Sequence, residues 1–148
     1  MIAAFTGHRP ERLRGRIVPV SSAIQGFLIK ESPSKVISGM APGVDQLAAG
    51  WSRALHIPWT AAVPFAGQSS RWPKAHQDMY VHLLESAETI EVISERYHKG
   101  VYDIRDRWMV DRCDVLAAVW DGKTYGGTYN TIEYAKSIGR EIRYLEWL

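Results

Sequence analysis

The chain has a single cysteine, Cys113, among its 148 residues. One thiol excludes an internal disulfide and a thiolate cluster for zinc. Its place before a buried-strand pattern fits a small packed residue better than a nucleophile. No segment approaches the ~20 apolar residues of a membrane span. The short apolar start runs into His8 and Arg9, which is not a signal-peptide pattern, so a cytoplasmic location is the expectation. The glycine signature GxGxxG is absent, and so is GxxxxGK[ST], which disfavours classical NAD binding and P-loop NTP hydrolysis. No Gly-x-Ser-x-Gly elbow occurs. The five histidines show no metal spacing; His76 and His82, six apart, do not share a helix face. Neither a metal nor a cofactor is expected. The net charge of +2 gives no global basic field that would demand nucleic acid.

What remains is a globular composition, 46% hydrophobic and 23% charged, sized for one domain spanning 1–148. Short apolar runs alternate with 3.6-residue periodicity. Strands are predicted at Met1–Phe5, Lys35–Ser38, Trp59–Val63, Thr89–Ile93 and Val115–Trp120, with a sixth, edge-like one at Ile142–Trp147. Helices lie between them. One begins near Ile17, one carries Val44, Leu47, Ala48, Trp51 and Leu55, and one follows Pro73. Another is marked by Ile104 and Trp108, with Arg105, Asp106 and Arg112 on its other side; the last covers Thr128–Ile138 and stops at Gly139. Such alternation predicts an α/β fold, a Rossmann-like, doubly wound, mainly parallel sheet with helices on both faces.

In that architecture ligands bind beyond the carboxyl ends of the strands. Four loops would gather there: Thr6-Gly7-His8-Arg9-Pro10, Ser38-Gly39 to Gly43-Val44-Asp45, Pro64 to Trp72, and Asp121-Gly122 through Gly126-Gly127-Thr128 to Thr131. Two of them lead straight into helices, whose first amides carry partial positive charge and suit a phosphate. Each loop alone is ordinary turn chemistry; together, with arginines nearby, they favour an anion site. Asp45 has two open roles, an interaction with its own helix N-terminus or acceptance of a ribose hydroxyl. Arg105 is either part of a solvated charged face or a phosphate contact, for which its planar fork is suited. Glu133, one turn inside the last helix, is a surface carboxylate or a group facing the ribose. Arg9, Arg12, Arg14 and Arg16 form a local basic cluster diluted only by Glu11. Trp72, Tyr97 and Tyr125 fall in loops, where a ring can stack on a base or meet another subunit.

Taken together, these stretches resemble the YpsA-like family of the SLOG superfamily, named for the Smf/DprA and LOG proteins. The residues that carry the resemblance are Thr6-Gly7-His8-Arg9-Pro10, Ser38-Gly39-Met40 to Asp45, Pro64-Phe65 with Gln68 and Trp72, Arg105 with Trp108 to Asp111, Asp121-Gly122, and Gly126-Gly127-Thr128. The resemblance implies a Rossmann-like domain with a pocket for nucleotides or nucleotide-derived molecules. LOG-type members release a base from nucleoside monophosphates with an arginine and a glutamate. Arg105 and Glu133 match those two, but Asp106 replaces a lysine, and Tyr125, Tyr129 and Asn130 depart from the phosphate loop. DprA-type members bind single-stranded DNA.

Three functions follow, in order of expectation. The first is capture of a nucleotide-derived small molecule by a homo-oligomer, with Thr6, Gly7, His8, Arg9, Ser38, Gly39, Gly43, Asp45, Arg105, Asp121, Gly126, Gly127 and Thr128 at the ligand. On this reading Arg105 is a contact whose removal leaves the fold intact. The second is a nucleotide N-glycosidase using Arg105 and Glu133. The third is nucleic-acid binding, supported only by the arginine cluster. No membrane partner is expected.

Overall fold

The computed structural model describes residues 1–148. Six strands, β1 (Ile2–Gly7), β2 (Lys35–Ser38), β3 (Trp59–Phe65), β4 (Thr89–Ser94), β5 (Val115–Val119) and β6 (Glu141–Tyr144), alternate with five helices. The helices are α1 (Ile17–Glu31), α2 (Val44–Ala54), α3 (Lys74–Leu84), α4 (Val101–Arg112) and α5 (Gly127–Ser137). A 3-10 turn at Pro10–Leu13 precedes α1. The sheet order is β4-β3-β2-β1-β5-β6 and every pairing is parallel. From β1 the chain winds outward through β2 and β3 to β4, then α4 carries it back to the other side of β1. Beside β1 the winding direction reverses, and there the diverging loops leave a crevice.

The central strands are apolar on both faces because both are covered. Ala3 and Phe5 of β1 face a core with α1 and α2, where Phe5, Val20, Ile24, Leu28, Val44 and Trp59 are fully buried. Ala4 faces a thinner layer under α4 and α5, built with Ile37, Ala62, Met109, Val110, Leu116 and Ala135. Alanines on this face let α4 approach the sheet closely. Both edges are exposed, and Ile90 and Val92 of β4 are about half accessible.

Three local expectations differ from the fold. β3 continues through Pro64 to Phe65; the register pairs Val63 with Val92 and Phe65 with Ser94, so the proline, which has no N–H, falls between paired positions. The helix α4 begins at Val101, inside the stretch read as loop. Its faces differ from the expectation at two positions, while Trp108 packs against the core as expected. Ile104 is 46% exposed, while Arg105 is buried in one stripe with Val101 and Met109. The two apolar residues four apart suggested a buried face, but the inward stripe has an arginine at its centre. Arg112, two turns on, is exposed and lies over the Trp108 ring.

At Gly7 the strand end runs against the first residue of α2. A Cβ added there would fall inside the Val44 side chain, which is fully buried and branched at its own Cβ. Gly7→Ala is expected to destabilise the protein by about 2 kcal/mol through overpacking, with an unchanged denaturant m-value. Urea unfolding measures both.

Candidate functional site

A cleft of about 390 Å³ opens at the carboxyl end of β1, in the crevice where the winding reverses. The β1–α1 loop gives it Gly7, His8, Arg9, Glu11 and Arg12; the β2–α2 loop gives Ala41 and Asp45. Tyr102, Arg105 and Asp106 of α4 and Gly127 and Thr128 of α5 complete it, with Phe5 and Thr6 at the base.

Arg105 forms the floor. It is 4% exposed, its Nη1 donates to the carbonyls of Gly39 and, at 3.2 Å, Ala62, and its Nε donates to Asp106 at 2.7 Å. Asp106 in turn accepts from the Thr131 hydroxyl at 3.2 Å. Burial works against charge on Arg105, but Asp106 and Asp45 outweigh it and hold its pKa above the ordinary value. Nη2 donates to no protein acceptor and is not sealed from solvent, so it is the one edge of the fork turned to the cleft. Arg105 is thus neither a solvated side chain nor a free phosphate contact. Gly39 exists to admit it: a Cβ there would strike the guanidinium. Removal of Arg105 is therefore expected to disturb the fold as well as the cleft.

Asp45 sits in the first turn of α2 and is 8% exposed. One carboxylate oxygen accepts the Ala41 amide at 3.3 Å. Burial pushes its pKa up to about 6, against the pull of Arg105 and with a push from Asp106.

His8 is buried, and its Nε2 accepts the Asp121 amide at 3.0 Å. Burial, reinforced by Arg12, holds its pKa below the ordinary value despite the Asp121 carboxylate 3.3 Å away. The ring is therefore neutral with its proton on Nδ1, which makes no bond within the protein and is not sealed off. Thr6 and Thr128 likewise line the cleft with hydroxyls that bond to nothing in the protein. The α5 N-terminus has no side-chain cap, and its first backbone bond is donated by Asn130 to Gly126. The amides of Gly127, Thr128 and Tyr129 are left without a helical acceptor. Arg9 is exposed at the rim and its side chain forms no ion pair or hydrogen bond.

Of the expected ligand residues, Thr6, Gly7, His8, Arg9, Asp45, Arg105, Gly127 and Thr128 line the cleft. The others support it. The Ser38 hydroxyl is buried, donating to the Asp45 carbonyl and accepting the Met40 amide. Gly43, at φ +95°, lies against the His8 carbonyl with no room for a Cβ. Asp121 is gripped by Arg12 through three contacts of 2.8 to 3.0 Å. Gly126 makes room for Arg12, whose Nη1 reaches the Tyr125 carbonyl and whose guanidinium lies 4.4 Å from the Tyr125 ring centre. Tyr125 is thereby engaged with Arg12. Glu133 does not reach the cleft: it is exposed and pairs with Lys136 at 3.3 Å, because Thr128, Thr131, Ile132 and Ala135 take the inward face of α5.

Sequence reasoning missed Phe5, Glu11, Arg12, Ala41, Tyr102 and Asp106 as cleft residues. Asp106 had a signal, its adjacency to Arg105. Arg12 belonged to the recognised arginine cluster, but its partner Asp121 is 109 residues away and no local pattern links them.

The winding order, the parallel pairing and the crevice beside β1 define a Rossmann-like α/β protein. The chain belongs to the YpsA family, the YspA SLOG family, whose model matches residues 17–146. The first loop, with Thr6 to Arg12, precedes the matched region. The chain is similar to a UPF0398 protein of Shouchella clausii, 31% identical over 117 residues, 74% of this chain and 62% of that one. It is also similar to an uncharacterized SPbeta prophage-derived protein, YoqJ, of Bacillus subtilis, 27% identical over 84% of this chain and 81% of the relative. Among solved structures, DNA processing protein A of Streptococcus pneumoniae superposes with a TM-score of 0.70 at 22% identity, over 96% of this chain and 49% of that one. TM1055 superposes at 0.63 and 13% identity, over 95% and 71%. At these identities the likeness establishes the fold. No helix is long and apolar enough to cross a membrane.

Arg105→Ala is expected to cost about 3 to 5 kcal/mol, because it strands the Asp106 carboxylate and two buried carbonyls. Asp45 gives a pH signature of definite sign. Its folded pKa of about 6 lies above its ordinary 3.8, so folding takes up a proton between those values. The contribution of Asp45 therefore becomes more favourable as pH falls from 7 towards 4. Asp45→Asn should stabilise the protein by on the order of 2 kcal/mol at pH 8, the gain vanishing near pH 4. Denaturant titrations across that range check both outcomes.

Proposed function

We propose that the cleft captures a nucleotide or nucleotide-derived small molecule. The observation that carries this reading is the convergence, in one crevice, of donors that the protein itself leaves unused. They are the first amides of α5, the Arg9 guanidinium, the Thr6 and Thr128 hydroxyls and the His8 Nδ1–H. An anionic group seated at the α5 N-terminus and against Arg9 would satisfy the first two at once. Asp45, on the facing side, is the natural acceptor for a sugar hydroxyl. At about 390 Å³ the cleft falls within the usual range of small-molecule sites.

The reading is capture rather than cleavage because the glycosidase mechanism expected from the sequence places its charge-stabilising carboxylate on Glu133. That side chain lies outside the cleft, paired with Lys136. The cleft carboxylate Asp45 lies beside Arg105, whose charge already engages it. Nucleic-acid binding is the alternative that the solved structures favour, since DNA processing protein A of Helicobacter pylori, which shares the fold with a TM-score of 0.64, has a single-stranded DNA binding mode. Against it stand the net charge of +2 and the balance within the cleft, where Glu11, Asp45 and Asp106 face Arg9, Arg12 and Arg105.

The test is thermal unfolding against mononucleotides, dinucleotides and single-stranded DNA, with chromatography of each mixture. A saturating small ligand at about 100 times its dissociation constant should add ~2.7 kcal/mol and be recovered intact. Released base would convert the reading to hydrolysis, and a response to DNA alone that collapses with salt would convert it to nucleic-acid binding. Arg9→Ala is expected to weaken the ligand by about 10- to 100-fold, the loss of one charge-assisted contact, with no change in melting temperature of the free protein. Calorimetric titration measures the affinity.

A further inference from the structure

Beyond Tyr102 the cleft borders a second cavity, of about 720 Å³, outside the carboxyl ends of β3 and β4. The β3–α3 loop, expected from the sequence to join the first site, lines this one instead. Its walls are aromatic. Phe65 packs edge-on to Tyr97 at 5.5 Å and to Tyr102 at 6.0 Å between ring centres, and Tyr97 and Tyr102 are 6.5 Å apart. Trp72 stands on the opposite loop. Tyr97 is 64% exposed, although it sits in an aromatic cluster that would hold it in place. Arg71 and Arg96 line the same cavity, exposed and without any ion pair or hydrogen bond; Glu95 is its one acid. Tyr102 lines both cavities, and its ring lies 5.9 Å from the Arg105 guanidinium, so the two spaces share one wall.

An edge-on pair covers one face of only one of its rings, so the exposed Tyr97 keeps ring surface open, and such a surface beside unpaired guanidinium groups suits a flat ring carrying phosphate. We propose that this second cavity is a nucleobase subsite, and that the ligand is a two-base molecule, a dinucleotide, lying across Tyr102. The proposal rests on the reading of the first cleft as a nucleotide site. One nucleotide occupies that cleft, the linking phosphate passes Tyr102, and the second base stacks against Tyr97, with Arg71 and Arg96 at its rim. The small total charge favours a short ligand of this kind over a tracked strand.

The experiment is calorimetric titration of the full chain with the four ribonucleoside 5′-monophosphates, the four matching 5′-phosphorylated homodinucleotides and the matching hexanucleotides. Wild type, Tyr97→Ala and Arg9→Ala are compared; Tyr97 is exposed enough that its variant should keep the wild-type melting temperature. At least one dinucleotide is expected to bind about 10-fold tighter than its mononucleotide, the worth of one base stack. Tyr97→Ala should remove that gain and leave the mononucleotide affinity unchanged, while Arg9→Ala weakens both. Equal affinities for mono- and dinucleotides on wild type overturn the subsite and leave the first cleft's reading standing. Failure of every probe to bind overturns both. An affinity that keeps rising to the hexanucleotide shows a strand-binding groove and overturns the dinucleotide.

Discussion

The site depends on the burial of one charged side chain. Arg105 lies under the crevice and joins three separate pieces of chain: α4 that bears it, the end of β2 through Gly39, and β3 through Ala62. A guanidinium in such a place is tolerable only if its hydrogens are matched and its charge is countered. Asp106 and Asp45 supply the charge, and the two carbonyls supply acceptors. In return the arginine fixes the height of α4 over the sheet, which sets the floor of the cleft. A small apolar residue would pack there as a simple layer and leave no polar edge facing the opening.

A second constraint is the clamp above it. Arg12 reaches from the 3-10 turn to Asp121, and its guanidinium also covers the Tyr125 ring. His8 takes the Asp121 amide from the other side. These contacts hold the β1–α1 loop against the β5–α5 loop, so that Arg9 and the α5 N-terminus face the same space. The glycines at 39, 43 and 126 are needed by the same arrangement, since each lies where a Cβ would strike the Arg105 fork, the His8 carbonyl or the Arg12 fork. Their role is to admit the framework around the cleft. Asp45 carries the electrostatic cost of the design. It is held in the cleft with its pKa pushed up to about 6 by burial, a destabilising position at neutral pH.

Much of this was legible in the chain. Short apolar runs separated by 3.6-period segments named the parallel sheet, and the glycine-rich ends of β1, β2 and β5 named the crevice. Seven of the expected lining residues lie at those strand ends or in the first turn of the helices that follow them, Thr6 to Arg9, Asp45, Gly127 and Thr128, because a loop following a buried strand can only emerge at that edge. Arg105 was recognised as a cleft residue, but its burial was not. Periodicity counts an arginine as outward, and only the carboxylates and carbonyls brought to it by the fold make burial tolerable. Glu133 failed for the opposite reason: its spacing from Gly126 is right, but the helix turns that position to solvent. Arg12 and Asp121 were both visible as residues and invisible as a pair.

The sequence by itself determined the element order, the winding and the edge at which the loops gather, since these follow from local periodicity and the handedness of parallel crossovers. Tertiary structure alone decided which charges are buried, which loop lines which cavity, and which donors remain unused. Those properties depend on contacts between residues far apart in the chain, such as His8 with Asp121 and Arg12 with Tyr125, each 113 apart. Hydrogen-bond matching and desolvation are settled by three-dimensional neighbours, and no local pattern of residue types carries that information.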